Sequence, residues 1–188
     1  MREETIKVYT VDELDKEATE RVIEKYRDIN LNHEWWKYNE EEIRKEAEKL
    51  GFIPKDGFYF SLFGQGNYLE LEVDIADDMV NGYSIYAGLW NKKAIRDSSW
   101  SLPEIRIDEV YNEEEERYIE PDEEDKEEWK EVAEEIESRV AELADYLKEQ
   151  KKRLSEEYMI RQEPEQILET VRINDMEFLE DGRNYWSS

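Results

Sequence analysis

The sequence predicts an α+β fold: a small, mainly antiparallel sheet packed on helices, with one long acidic helix in the C-terminal half. Three observations point there. Leu69, Leu71, Val73 and Ile75 alternate with Glu70, Glu72 and Asp74, the period of a half-buried strand. From Trp129 to Tyr158, apolar residues recur at steps of three and four, the period of a helix. The chain has 188 residues, 38% hydrophobic and 12% aromatic. That suffices for a core, whereas acidic disordered chains are usually poor in aromatics.

The elements follow in order. Residues 3–9 alternate and read as a short strand with Ile6 and Val8 on one face. Thr10 and Glu13 have the spacing of a capping box, and Asp15 is placed to cap a helix over 16–29. Leu14, Ala18, Val22 and Tyr26 form its apolar stripe. Asn39 can cap a second helix over 40–50, with the stripe Trp36, Ile43, Ala47 and Leu50, and Gly51 suits its end. Phe58–Phe63 and Tyr68–Ile75 flank Gly64-Gln65-Gly66-Asn67 and read as a hairpin, the second strand with one buried face and one wet acidic face. Tyr83–Trp90 and Ile105–Val110 are further strand candidates. Pro121 or Asp122 opens the long helix, which can run to Arg161.

The seam of that helix is Trp129, Val132, Ile136, Val140, Leu143, Leu147, Gln150, Leu154 and Tyr158. At 1.5 Å per residue it would span roughly 57 Å. Such a helix overhangs its sheet, breaks near Gln150–Lys152, or pairs as a homodimer with a second chain. Pro164 opens a short helix to Ile173, and residues 176–186 read as a terminal hairpin. One domain over 1–188 is expected: an α+β core (1–120), the long helix (121–161), and a helix and hairpin (162–188) packing back on the core.

Charge narrows the partner. The chain holds 52 acidic and 26 basic residues, a net of −26. Residues 108–137 hold 17 acidic and 3 basic residues, a net of −14, more than half of the imbalance. Self-repulsion on that scale weakens the compact state, and solubility does not require it. Nucleic acid and anionic membranes are polyanions and are poor direct ligands. A basic protein surface fits. The strongest runs are Glu113, Glu114, Glu115 and Glu116, then Asp122–Asp125. On a helix, Glu124, Glu128, Glu131 and Glu135 share one face at steps of 4, 3 and 4. A rigid row of carboxylates can stand in for DNA phosphates before a protein built to neutralise them. These eight glutamates are the candidate partner-binding residues.

Catalytic signals are thin. Without cysteine there is no disulfide, thiolate site or cysteine nucleophile. His33 is the single histidine, beside Trp35 and Trp36, and reads as structural; of that tryptophan pair, core is the expectation, with one a candidate surface anchor. No serine-hydrolase, Walker or zinc-protease pattern occurs. Asp74, Asp77 and Asp78 lie close together, but among 52 acids such a cluster arises by chance, so no metal or cofactor is assigned. Gly64, Gln65, Gly66 and Asn67 form a candidate ligand turn. The N-terminus shows no apolar signal segment and no stretch is long enough to span a membrane, so a cytoplasmic protein is expected.

The segments Lys7–Leu14 and Lys25-Tyr26-Arg27-Asp28, then Glu34-Trp35-Trp36, Phe60–Gly66 and Glu177–Gly182, together resemble a widespread group of small bacteriophage accessory proteins. That group has a "YTFDEL"-like start, a phenylalanine-rich strand entering a Ser-Gln-Gly turn, and a Glu-Phe-x-x-Asp-Gly-like hairpin. Here Gly64 replaces the serine, and Asn67 stands where the group has Asp-Gly. The resemblance implies a phage protein acting in a bacterial cytoplasm. With the acidic tract, the expectation is a non-enzymatic inhibitor of a host nucleic-acid-handling protein, of anti-CRISPR or anti-restriction type, acting as a DNA mimic. The alternatives are a protein that sequesters a nucleotide immune signal near Gly64–Asn67, with Phe58, Tyr59 or Trp35 stacking, and an antitoxin-like binder of a basic toxin.

Overall fold

The computed structural model describes residues 5–31, 33–63, 67–76, 83–86, 94–96, 106–112, 117–119 and 123–185. The fold is α+β, with α1 (Lys16–Lys25), α2 (Lys37–Lys49), β1 (Phe52–Ser61), β2 (Tyr68–Ile75), β3 (Tyr83–Tyr86), β4 (Ala94–Arg96), β5 (Arg106–Asn112), β6 (Arg117–Ile119), α3 (Glu123–Arg161) and α4 (Pro164–Ile173). The chain divides into two compact units. One joins the chain ends, residues 1–36 and 155–188; the other is residues 37–154.

The unit of the chain ends is built on local caps. The Thr10 backbone N–H and its hydroxyl both donate to Glu13 Oε2, at 2.8 and 3.0 Å, around a 3-10 turn at Val11–Glu13. Asp15 Oδ1 accepts from the Ala18 N–H at 2.8 Å and starts α1. The helix stops at Lys25, four residues short of expectation, and a second 3-10 turn covers Ile29–Leu31. Of the strand expected over 3–9, residues 3 and 4 lie outside the described residues, and the rest makes a single bridge from Tyr9 to Phe178, itself bridged to Asn184. Residues 5–7 are exposed, while Val8 and Tyr9 are half-buried. Phe178 is fully buried with Val11, Val22 and Val171, its ring edge-on to Tyr26 at 6.2 Å. Burying such a side chain contributes about 1.5–3 kcal/mol.

Two backbone positions set this unit's shape. Gly182 has φ +80°, and a Cβ there would lie 2.6 Å from the Ala18 carbonyl oxygen, so the terminal turn and α1 meet backbone to backbone. Asp175 has φ +47° and ends α4 in a Schellman arrangement: the Met176 N–H bonds the Val171 carbonyl at 3.3 Å, and the Asp175 N–H that of Arg172 at 3.0 Å.

The other unit carries two three-stranded antiparallel sheets, ordered β1-β2-β4 and β3-β5-β6. α2 begins at Lys37, so Asn39 lies inside the helix and is not its cap, and Gly51 ends it at φ +85°. β1 starts six residues before the expected strand and carries a bulge between Pro54 and Phe58. Tyr68 pairs with Ser61, so the hairpin connection runs over residues 62–67. Phe52, Leu69, Leu71, Val73 and Ile95 are buried on one face.

The opposite face is not the wet acidic surface expected. Glu70 is 7% exposed, held by Arg96, whose Nε donates to Glu70 Oε2 at 2.6 Å and whose guanidinium lies 4.5 Å from the Tyr68 ring centre. Asp74 pairs with Lys55. A Cβ on Gly57, in the bulge, would lie 2.2 Å from Glu72 Cδ, so a larger residue there would displace the Glu72 side chain.

α3 is continuous through 150–152, so of the three alternatives the break does not occur, and Gln150 is buried in the stripe with Ile136, Val140, Leu143, Leu147 and Leu154. The seam a coiled-coil partner would need is therefore already covered within the single chain. Its residues to Leu154 belong to the middle unit and those from Ser155 to the unit of the chain ends.

Candidate functional site: the outward face of α3

Burying the stripe centred on Leu143 and Leu147 fixes which side of α3 faces outward. At 100° per residue, Glu131, Glu134, Glu142, Asp145 and Glu149 lie opposite that stripe, and all are exposed. No hydrogen bond or ion pair engages these five side chains, or that of Glu137, among the described residues. Their neighbours are engaged: Lys130 pairs with Glu127 at 2.5 Å, Lys126 with Glu123 at 2.7 Å, and Arg139 with Glu135 at 2.5 Å. Hydrogen bonding to Glu127 holds the Lys130 amine above its ordinary value.

Glu131 is the most crowded position. It has carboxylate neighbours at both i±3 and i±4: Glu127, Glu128, Glu134 and Glu135. Like charges at these spacings cost a few tenths of a kcal/mol each, so the row weakens the helix that carries it.

Of the eight glutamates singled out in the sequence, Glu131 belongs to the unpaired row. Glu135 does not. Its partner Arg139 also donates from Nη1 to the Leu50 carbonyl at 3.2 Å, tying α3 to the end of α2, so Glu135 is part of a structural bridge. Glu124 and Glu128 lie on α3, with their side chains outside those described; Glu113, Glu114, Glu115 and Glu116 fall outside the described residues. Glu134 lies within the acidic tract that the sequence singled out, whereas Glu142, Asp145 and Glu149, beyond its end, were missed. Centring the helical wheel on the apolar seam would have found them, because the solvated face lies opposite it.

The remaining candidates are not drawn together. Of the ligand turn, Gly64, Gln65 and Gly66 fall outside the described residues, and Asn67 is exposed. His33 is exposed. Trp35 and Trp36 are half-buried, edge to face at 6.0 Å, with Tyr158 6.1 Å and the Arg161 guanidinium 5.6 Å from the Trp35 ring centre. Among the described residues, no group of three or more acidic or histidine side chains is placed to hold a metal ion, and no helix is long and apolar enough to cross a membrane. Asp74 is paired with Lys55, and Asp77 and Asp78 lie outside the described residues. No protein-family model, curated protein or solved structure matches the chain.

Proposed function

We propose that the protein is a non-enzymatic inhibitor that binds a basic, nucleic-acid-handling protein of the bacterial cytoplasm through the outward face of α3, in the manner of a DNA-mimicking anti-CRISPR or anti-restriction protein. The observation that carries this reading is the row of exposed carboxylates left without cationic partners on one face of a helix where Glu123, Glu127, Glu135 and Glu157 have them. Spacing supports it. Glu127 to Glu149 covers about 33 Å at 1.5 Å per residue, close to one turn of B-DNA at about 34 Å. Nine acidic residues fall in that stretch, of which Glu131, Glu134, Glu142, Asp145 and Glu149 form the outward row. A rigid helix presents them with little ordering cost on binding.

A tagged form of the chain, incubated with bacterial lysate at low salt, is expected to retain a basic protein. Moderate salt should release it, and added duplex DNA should displace it. A retained protein indifferent to both salt and duplex DNA would overturn the mimicry, as would retention of no protein at all.

A further inference from the structure

A second charged feature lies in the unit of the chain ends. A cleft of 640 Å³ is lined by Lys7, Tyr9, Arg21, Leu179 and Arg183, together with Asp15, Glu180 and Asp181. Its volume falls within the range of small-molecule sites, about 300–1,000 Å³. Cations are the minority charge in this chain, yet three converge here from the N-terminal segment, α1 and the terminal turn.

The cleft's carboxylates are mostly committed to the fold. Asp15 caps α1 through the Ala18 N–H. Asp181 accepts from the Arg183 backbone N–H at 3.1 Å and from Arg183 Nε at 2.7 Å, which hold its carboxyl below the ordinary value. The guanidinium groups are only partly used. Arg21 donates from Nε to the Asp181 carbonyl at 2.9 Å and from Nη1 to Glu17 at 2.8 Å, leaving Nη2 without a partner among the described residues. Arg183 uses Nε alone, and its two terminal nitrogens are likewise unengaged. Lys7 sits 4.6 Å from the Tyr9 ring centre, and hydrogen bonding with the Tyr9 side chain holds its amine above the ordinary value, so it stays charged.

We infer that this cleft binds the phosphate group of a small organic phosphate, with Arg21 and Arg183 as a clamp on its oxygens and Lys7 as the third cation. A phosphate group offers three terminal oxygens to three separate donors, where a carboxylate offers two. Guanidinium groups match that geometry. A small ligand fits better than a nucleic acid. A polyanion lying across the surface would meet the chain's net charge of −26, whereas a single phosphate senses groups within a Debye length, about 8 Å at physiological salt. Four carboxylates, those of Asp15, Glu17, Glu180 and Asp181, stand beside the three cations and limit affinity, so binding in the millimolar range is expected.

The probes are inorganic phosphate and then AMP, titrated into the isotope-labelled full chain at constant ionic strength with chloride as the balancing ion. Saturable amide shifts confined to residues 7–9, 15–21 and 179–183 are the expected result. Arg183→Gln keeps the backbone N–H that bonds Asp181, so its unfolding midpoint should stay put while the affinity falls roughly tenfold or more, the loss of one charge-assisted contact. Arg183→Lys should recover part of that loss. Shifts that never saturate, that spread over the whole chain, or that persist unchanged in Arg183→Gln would each overturn the site. The α3 row takes no part, so failure here leaves the proposed function standing, and the reverse also holds.

Discussion

Residues 1–36 with 155–188 hold 19 acidic and 9 basic residues, a net of −10 in 70 positions; residues 37–154 hold 33 and 17, a net of −16 in 118. The charge density is about the same, but its use differs. In the unit of the chain ends, carboxylates fasten the backbone: Glu13 and Asp15 cap, Asp181 closes the terminal turn, Asp12 pairs with Arg172 at 2.9 Å, and Asp28 accepts from Gln162 at 2.8 Å. Its unengaged exposed acids, such as Glu24, Glu156, Glu169 and Glu177, lie on four different segments. In the middle unit the sheet acids Glu70 and Asp74 are engaged by Arg96 and Lys55, while the outward acids of α3 stand in one row. Net charge therefore says little about which acids bind a partner. What separates them is whether the fold already uses each one.

That contrast can be broken most forcefully at Phe178. Phe178→Ala should cost about 3–5 kcal/mol, the usual price of emptying an aromatic core site. The loss should fall on the unit of the chain ends. Hydrogen exchange checks this: amides of Val22 and Val171 should lose protection, while those of Leu143 and Leu147 keep theirs. Equal losses in both would erase the division into two units.

Acid should weaken the unit of the chain ends before the helix that carries the α3 row. Hydrogen bonds from Thr10 hold the Glu13 carboxyl below its ordinary 4.5, and bonds from Arg183 hold Asp181 below 3.8. A depressed folded value means stabilisation that is complete above the unfolded value and lost as pH falls through the folded one. The unit of the chain ends should therefore weaken below about pH 4.5, and Glu13→Gln should flatten that loss. The five carboxylates of the α3 row make no hydrogen bond or ion pair among the described residues, so the helix that carries them should hold over the same interval. Residue-resolved exchange at pH 3 to 6 separates the two, and parallel weakening would contradict the contrast.

A smaller effect sharpens it. Glu131→Gln relieves repulsion from four acidic neighbours, two of them already partnered, and should stabilise the helix by about 0.5 kcal/mol at low salt and less at high salt. Denaturant midpoints at two salt concentrations read this directly. A destabilised variant would mean that Glu131 serves the fold.

Features set by neighbours in sequence were legible before the structure. The Thr10–Glu13 box, the Asp15 cap, Gly51 at the end of α2, the β1–β2 pairing and the α3 seam all depend on residues within a few positions or one turn of chain. Features set across distance were not. Glu70 reads as solvated until Arg96, 26 residues on, arrives on the neighbouring strand. Of the strand expected over 3–9, the described residues pair only at Tyr9, whose partner is a short hairpin 169 residues away. The candidate site divides the same way: Glu131 was visible from helical spacing, whereas the loss of Glu135 to Arg139 depends on the Leu50 carbonyl, 89 residues from that arginine.

The measurement that bears most directly on the central claim compares two reversals of equal charge. One changes Glu131, Glu134, Glu142 and Asp145 to Lys; the other changes Glu24, Glu156, Glu169 and Glu177 to Lys. Each is used as bait for the basic protein that the parent chain retains at low salt, after circular dichroism has established that both fold. The account predicts that the α3 reversal abolishes retention and the matched reversal leaves it largely intact. Equal retention by the two, or loss in the matched variant alone, would contradict it.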